Sequence, residues 1–310
     1  MAKHIGAVSR EVIDALHSKM ENPELWRPRK TGLEEFDKVV RIMPGRIYSI
    51  EGVQKSAKTT LALHMAKALA LNNMSKVLYI QCEESMFDMG VRILTSLTTS
   101  VDRNHVMDMV LSEDHFTELE NAFDKTSKLG LYVEDKVFDT DKIFKLIDEV
   151  GANVCVIDYF QLMDDKIPNA RSLPERLQEI SMRIVRRKNS RPTVEGVAPL
   201  TVILIAQLNE DLKVNQTRQL GRDIDQAIRI VKTVDCISGG TIDGTIDIVA
   251  DRGRIGHGGK CTLSFNGAHS RIGNALPPIE IEGNPFDKLT QVDDEEPPYA
   301  IIDEEEISDE

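Results

Sequence analysis

Residues 51–60 read EGVQKSAKTT. An apolar run at 46–50 precedes them and TTLALHMAKALALNN follows, so the chain passes from strand through a glycine turn into a stretch of strong helix formers. Gly52, Lys58 and Thr59 match the GxxxxGK[ST] pattern of a phosphate-binding loop, with Ala57 standing at the second glycine. Such a loop needs backbone N–H groups curled around phosphates, a helix dipole behind them, an ammonium for the outer phosphates and a hydroxyl for Mg²⁺. The nucleotide-binding set is therefore Gly52, Val53, Gln54, Lys55, Ser56, Ala57, Lys58, Thr59 and Thr60. Alanine adds the smallest Cβ to a crowded turn, so the expectation is a strained or slightly displaced loop that keeps its donors. The bland alternative, a chance helix N-cap, leaves the strand before it unexplained.

A phosphate loop calls for a second strand that ends in a carboxylate, and VCVIDYFQLM supplies one at Asp158. Thr59 and Asp158 are the expected Mg²⁺ ligands, and ATP with Mg²⁺ is the implied cofactor pair. Further apolar runs, KVLYIQCEE, LGLYVED, LTVILIAQLN, TVDCISG and IDIVADR, alternate with helical stretches at 112–126, 140–150 and 174–189. That alternation predicts an α/β fold with a mainly parallel sheet covered by helices on both faces. Ligands on such sheets sit at the carboxyl ends of strands, where EG, QCEE, DYFQ, AQLN and DRGR are expected to gather.

With 310 residues, 41% of them hydrophobic, the chain can bury one sizeable core. The expected division is an N-terminal helix and linker at 1–30, a main domain at 31–285 and an acidic tail at 286–310. The helix SREVIDALHSKM carries Val12, Ile13, Leu16 and Met20 on one stripe, which needs a surface to cover. Of the net charge of −13, the last 25 residues contribute −10, from eleven acids against Lys288. The tail reads as a disordered acidic extension, and the nearly neutral body remains compatible with a nucleic-acid channel. Cys82, Cys155, Cys236 and Cys261 form no CxxC pair, which disfavours a metal knuckle or a disulfide framework. No eighteen apolar residues run together and the first twenty are amphipathic, so a cytoplasmic protein without membrane contact is expected.

TGLEEFD, PGRIYSIEG, KVLYIQCEES, VRIL, VIDYFQLM, LQEIS, IAQLN and GGKCTLSFNGAHSRI follow one another in the order of a known family. Together they resemble the ATPase domain of DnaB-type replicative helicases, a RecA-like P-loop NTPase fold, over about residues 30–275. The resemblance does not extend to the family's large N-terminal scaffold domain, so the expectation is a minimal phage- or plasmid-borne version working in a bacterial host's cytoplasm. Carried over by motif, Glu83 takes the place of the catalytic glutamate that polarises the attacking water, and Gln207 that of the polar γ-phosphate sensor. Strand alternation points the neighbouring Glu84 to the other face. Arg254 falls at the position of an arginine finger that enters the adjacent subunit's site, and Arg252 replaces a lysine beside it.

Two loops that face the channel in this fold carry Arg171, Arg218 and Arg222, the candidate contacts to DNA phosphates. The resemblance implies an ATP-dependent helicase or translocase on single-stranded DNA that assembles as a homo-oligomer, a hexameric ring. Its implied partners are a primase, a loader or a single-strand-binding protein. Two other readings stand beside it: a RecA-like phage recombinase that forms filaments, and a catalytically weak helicase-like regulator.

Overall fold

The six buried residues Ile47–Gly52 form β1, and their alternation divides the molecule into two cores. Tyr48 and Ile50 face one side, where Phe36, Leu61, Met65 and Leu69 pack. Ile47 faces the other, against Ile143, Phe144, Leu177, Ile180 and Ile184. Burying each such aliphatic or aromatic side chain contributes about 1.5–3 kcal/mol, and only a strand covered on both faces gains it at every position.

The computed structural model describes residues 2–71, 75–165, 172–191, 196–208, 223–238 and 241–274. Arg171, Arg218 and Arg222, the three expected DNA contacts, lie outside the described residues, as does the acidic tail 286–310. The sheet has nine strands in the order β3 (Leu131–Asp135), β2 (Val77–Gln81), β4 (Val154–Asp158), β5 (Thr201–Gln207), β1, β6 (Gln226–Ser238), β7 (Thr241–Ala250), β8 (Gly259–Asn266) and β9 (Arg271–Asn274). Every pairing from β3 through β6 is parallel, and β6 through β9 form an antiparallel meander. The mainly parallel α/β architecture expected from the apolar runs is therefore present, with an antiparallel extension at one side.

The helices α2 (Glu34–Val39) and α3 (Lys58–Ala70) cover the first face, and α7 (Thr140–Val150) and α8 (Leu173–Ser190) the second. Three more, α4 (Met86–Thr95), α5 (Arg103–Met107) and α6 (Glu113–Thr126), fill the segment between β2 and β3. Side-chain caps set where several of them begin: Ser85 accepts from Asp88 N, Ser112 from His115 N and Asp139 from Lys142 N. The expected N-terminal helix is α1 (Ile5–Glu21), and its stripe of Val12, Ile13, Leu16 and Met20 is exposed throughout. The basic end of α8 is tied to α7 by Arg187 to Asp141 and by Arg191 to Asp148 at 3.0 Å. Among the described residues no helix is long and apolar enough to cross a membrane.

One expectation fails for a topological reason. DRGR does not join the other strand ends, because β7 runs antiparallel to β6 and its last residue, Ala250, pairs with Ile228 near the start of β6. The 251–258 loop is anchored there, with Asp251 N donating to Ala227 O at 3.0 Å and Arg254 N to Asp225 O at 2.9 Å. Asp225 N in turn donates to the carbonyl of Ile47, the first residue of β1, at 2.7 Å. Continuous β-branched runs do not report strand direction, so sequence reading placed this loop at the wrong edge.

Asp165 closes the second core just beyond β4. Its carboxylate, fully buried, accepts from Thr140 N at 2.7 Å, from the Thr140 hydroxyl and from Arg183 at 3.2 Å. Asp165→Ala should cost about 2–4 kcal/mol in urea denaturation, because three donors lose their acceptor. Asp164→Ala, which breaks only an exposed pair with Arg176, should cost no more than about 1 kcal/mol.

Candidate nucleotide-binding site

The phosphate loop follows β1 and folds on a single acceptor. The Val53 carbonyl receives Ser56 Oγ at 2.8 Å, Lys58 Nζ at 2.5 Å and Ser56 N at 3.4 Å. Lys55 and Ala57 both take left-handed backbone conformations, with φ of 61° and 66°. Ala57 is the N-cap of α3 and offers no side-chain acceptor to the first turn of that helix. Those N–H groups and the positive end of the helix dipole are what a phosphate completes. The glycine pattern at position 57 therefore reflects a real backbone demand, which alanine meets at a cost of about 1–2 kcal/mol.

Asp158 ends β4 and is buried beside the loop. Tyr79 Oη donates to its Oδ2 at 2.8 Å, and the Thr59 hydroxyl also hydrogen-bonds it. Burial pushes the Asp158 carboxyl up to about 6, opposed by those two hydroxyls and reinforced by Glu84 and Glu83. Burial likewise lowers the Lys58 ammonium, against the pull of Asp158 and Glu83. A buried carboxylate that sheds its proton reluctantly and lies against a hydroxyl is a donor set of hard oxygens. It fits Mg²⁺, which is held by one or two carboxylates with phosphate oxygens rather than by an all-protein cage. Among the described residues no group of three His, Cys, Asp or Glu could hold a metal by itself.

Two carboxylates follow β2, and a cation sorts them. Arg92 on α4 grips Glu84 with two hydrogen bonds, Nε to Oε2 at 2.7 Å and Nη2 to Oε1 at 2.5 Å, and reaches Ser270 Oγ at 3.3 Å. Glu83 is exposed in the cleft. β2 ends at Gln81, so strand alternation does not reach these residues and the Arg92 pair is what distinguishes them. Gln207 ends β5, and its backbone is pinned by the Gln161 side chain, Nε2 to Gln207 O at 3.0 Å and Gln207 N to Oε1 at 3.3 Å.

A cleft of about 460 Å³ brings together Gln54, Lys55, Ser56, Ala57, Lys58, Thr59 and Thr60 with Glu83, Asp158 and Gln207. Gly52 and Val53 form the base of the loop, and Arg92, Arg103 and Phe265 also line the cleft. Arg252 and Arg254 do not. They stand on the 251–258 loop beside the start of β1, whereas the phosphate loop leaves its end. Five residues of strand, about 16 Å, separate the two edges.

The DnaB-like helicase C-terminal domain family matches residues 29–274. The chain belongs to that family. It is a RecA-like P-loop ATPase domain. A replicative DNA helicase DnaB from Leifsonia xyli subsp. xyli is 21% identical over 271 residues, 80% of this chain and 56% of that protein. The chain spans a little over half the length of the curated relatives it matches. Among solved structures, a phage ATPase domain superposes with a TM-score of 0.71 at 16% identity, covering 86% of this chain and 98% of that one. A DnaB-like replicative helicase described with its primase interactions gives a TM-score of 0.65 at 16% identity, over 86% and 66% of the two chains.

Sequence reading of this DnaB-like domain missed Tyr79, Arg92 and Gln161. Tyr79 carried one usable signal, a phenol inside an otherwise apolar strand that must find a partner for its hydroxyl. Arg92 and Gln161 carried none, because their partners are set by the packing of α4 and by the spacing of β4 and β5.

The left-handed geometry of Ala57 makes a direct prediction. Ala57→Gly should raise unfolding free energy by about 0.5–1 kcal/mol, the relief of the αL cost less the extra freedom of glycine in the unfolded chain. Ala57→Val should lower it, and chemical denaturation of the three proteins measures both.

Proposed function

We propose that this chain hydrolyses ATP at seams between copies of itself and uses the cycle to move along single-stranded DNA as the motor of a replicative helicase. The observation that carries the reading is the separation of the cleft from the 251–258 loop at opposite edges of one sheet. A single copy has a phosphate loop, a Mg²⁺ carboxylate and a candidate base, and its own Arg252 and Arg254 are out of reach. A second copy placed head to tail brings those guanidinium groups to the first copy's cleft, and closing the rotation gives a ring.

In this scheme the loop N–H groups and Lys58 hold the β- and γ-phosphates. Thr59 and Asp158 would hold Mg²⁺, which neutralises charge on those oxygens. Glu83 accepts a hydrogen bond from water and aligns it for in-line attack on the γ-phosphorus. Arg254 of the next copy meets the charge that spreads over the transferring group, with Arg252 beside it in place of an ammonium. Gln207, tied through Gln161 to the end of β4, senses the γ-phosphate at the root of the segment that carries Arg218 and Arg222. Those two residues and Arg171 grip DNA phosphates without regard to sequence. The exposed stripe of α1 covers part of a neighbouring copy. A primase, a loader or a single-strand-binding protein completes the machine in a bacterial cytoplasm.

Phosphate release with and without single-stranded DNA, run beside strand displacement on a forked duplex, tests this reading. Wild type should turn over faster with DNA and displace the strand. Glu83→Gln and Arg254→Ala should each lose about 10³-fold in kcat while still binding nucleotide. Wild-type protein as silent as Lys58→Ala would overturn it.

A further inference from the structure

Glu51 directly precedes Gly52 of the phosphate loop, and Asp251 directly precedes Arg252 of the hairpin at the other edge. Both carboxylates hold the same guanidinium. Arg229 Nε donates to Glu51 Oε2 at 2.9 Å, and Arg229 Nη1 donates to Asp251 Oδ1 at 2.8 Å. Glu51 and Arg229 are direct register partners on β1 and β6, while Asp251 is held by its backbone beside Ala227, two residues back along β6. The Arg229 side chain therefore lies along the sheet and covers about 7 Å of the distance between the two edges.

Glu51 is only 1% exposed, and its other oxygen accepts from Ser49 Oγ at 2.6 Å on the same strand. A charge so buried can respond to a change beside it mainly through its partner cation. The hairpin has little freedom of its own. The Gln226 side-chain nitrogen donates to the carbonyls of Val39 at 3.2 Å, Asp251 at 3.0 Å and His257 at 2.8 Å. Gly253 sits at φ +47°, where a Cβ would come within 2.1 Å of the Asp225 carbonyl. Asp225, Gln226 and Arg229 all belong to the first part of β6 or the residue before it, so the hairpin moves with β6. β6 in turn is hydrogen-bonded along β1 up to the phosphate loop.

We propose that Glu51, Arg229 and Asp251 are positioning residues that transmit the state of one copy's phosphate loop to the guanidinium pair which that copy lends to the next. The inference rests on the seam reading above. Arginine suits the centre because its rigid planar fork presents separate N–H groups, Nε and Nη1, to the two carboxylates.

The test uses the full chain under assembly conditions. Asp251 is half-exposed, so Asp251→Asn takes the charge out of the outer contact and leaves the buried pair intact. It should lower kcat about tenfold and leave KM for ATP within about two-fold, as expected for a displaced finger beside an intact binding loop. Asp251→Glu should restore most of the loss, and Arg229→Lys should reproduce it. When Lys58→Ala protein is doped into wild type, activity should fall more steeply than the wild-type fraction. The same doping into Asp251→Asn should give a proportional fall. A kcat for Asp251→Asn equal to wild type, or a proportional fall in wild type, overturns the link. If Arg254→Ala is inactive while Asp251→Asn is normal, the link alone fails. If Arg254→Ala is itself fully active, the seam reading fails and takes the link with it.

Discussion

Parallel pairing of β1 with β5 on one side and β6 on the other gives the sheet a polarity that the rest of the chemistry depends on. Parallel strands all release their chain at one edge, so the phosphate loop, the turn with Glu83, Asp158 and Gln207 converge without any further device. The same polarity forces the antiparallel return of β7 to deliver the next loop to the opposite edge. The proposed nucleotide site takes Arg252 and Arg254 from the far edge, and on that reading it has to be shared between copies. Under the proposed mechanism, oligomerisation follows from strand direction rather than being an addition to the fold.

The buried polar groups follow the same plan. Within the strands, most positions are apolar and gain from cover on both faces. Among the exceptions, Tyr79, Asp158, Glu51 and Arg229 are matched to partners across a strand boundary. Such groups add little net stability, since desolvation offsets most of what the hydrogen bonds supply. Their value lies in geometry. Tyr79 and Thr59 fix the Asp158 carboxylate beside the phosphate loop, and Arg92 holds Glu84 in an ion pair while Glu83 stays exposed in the cleft. Gln161 ties the ends of β4 and β5, the two strands from which the expected DNA-facing segments depart.

Local patterns were legible in the sequence wherever chemistry and conformation coincide within a few residues. The loop at 52–59 and the apolar run into Asp158 are of this kind, and both stand where their motifs placed them. Ala57 was legible as a strain, and the structure gives it the left-handed backbone that glycine usually supplies. What could not be read were features set by register and direction. The edge at which Arg252 and Arg254 stand depends on β7 running against β6, and β-branched residues suit either direction. A distinction between Glu83 and Glu84 was expected from alternation, but what separates them in the structure is Arg92, brought back by α4 to pair with Glu84.

Mixing two inactive proteins tests the shared site most directly. Lys58→Ala keeps Arg254 on its hairpin and Arg254→Ala keeps a working phosphate loop, so neither should hydrolyse ATP alone. In mixed assemblies every seam that joins an Arg254→Ala loop to a Lys58→Ala hairpin is complete. ATP hydrolysis should reappear on mixing, though below the wild-type level because a Lys58→Ala loop does not position its own hairpin, peak near equal proportions and vanish on dilution below the assembly concentration. A mixture no more active than the sum of its two components would contradict the account.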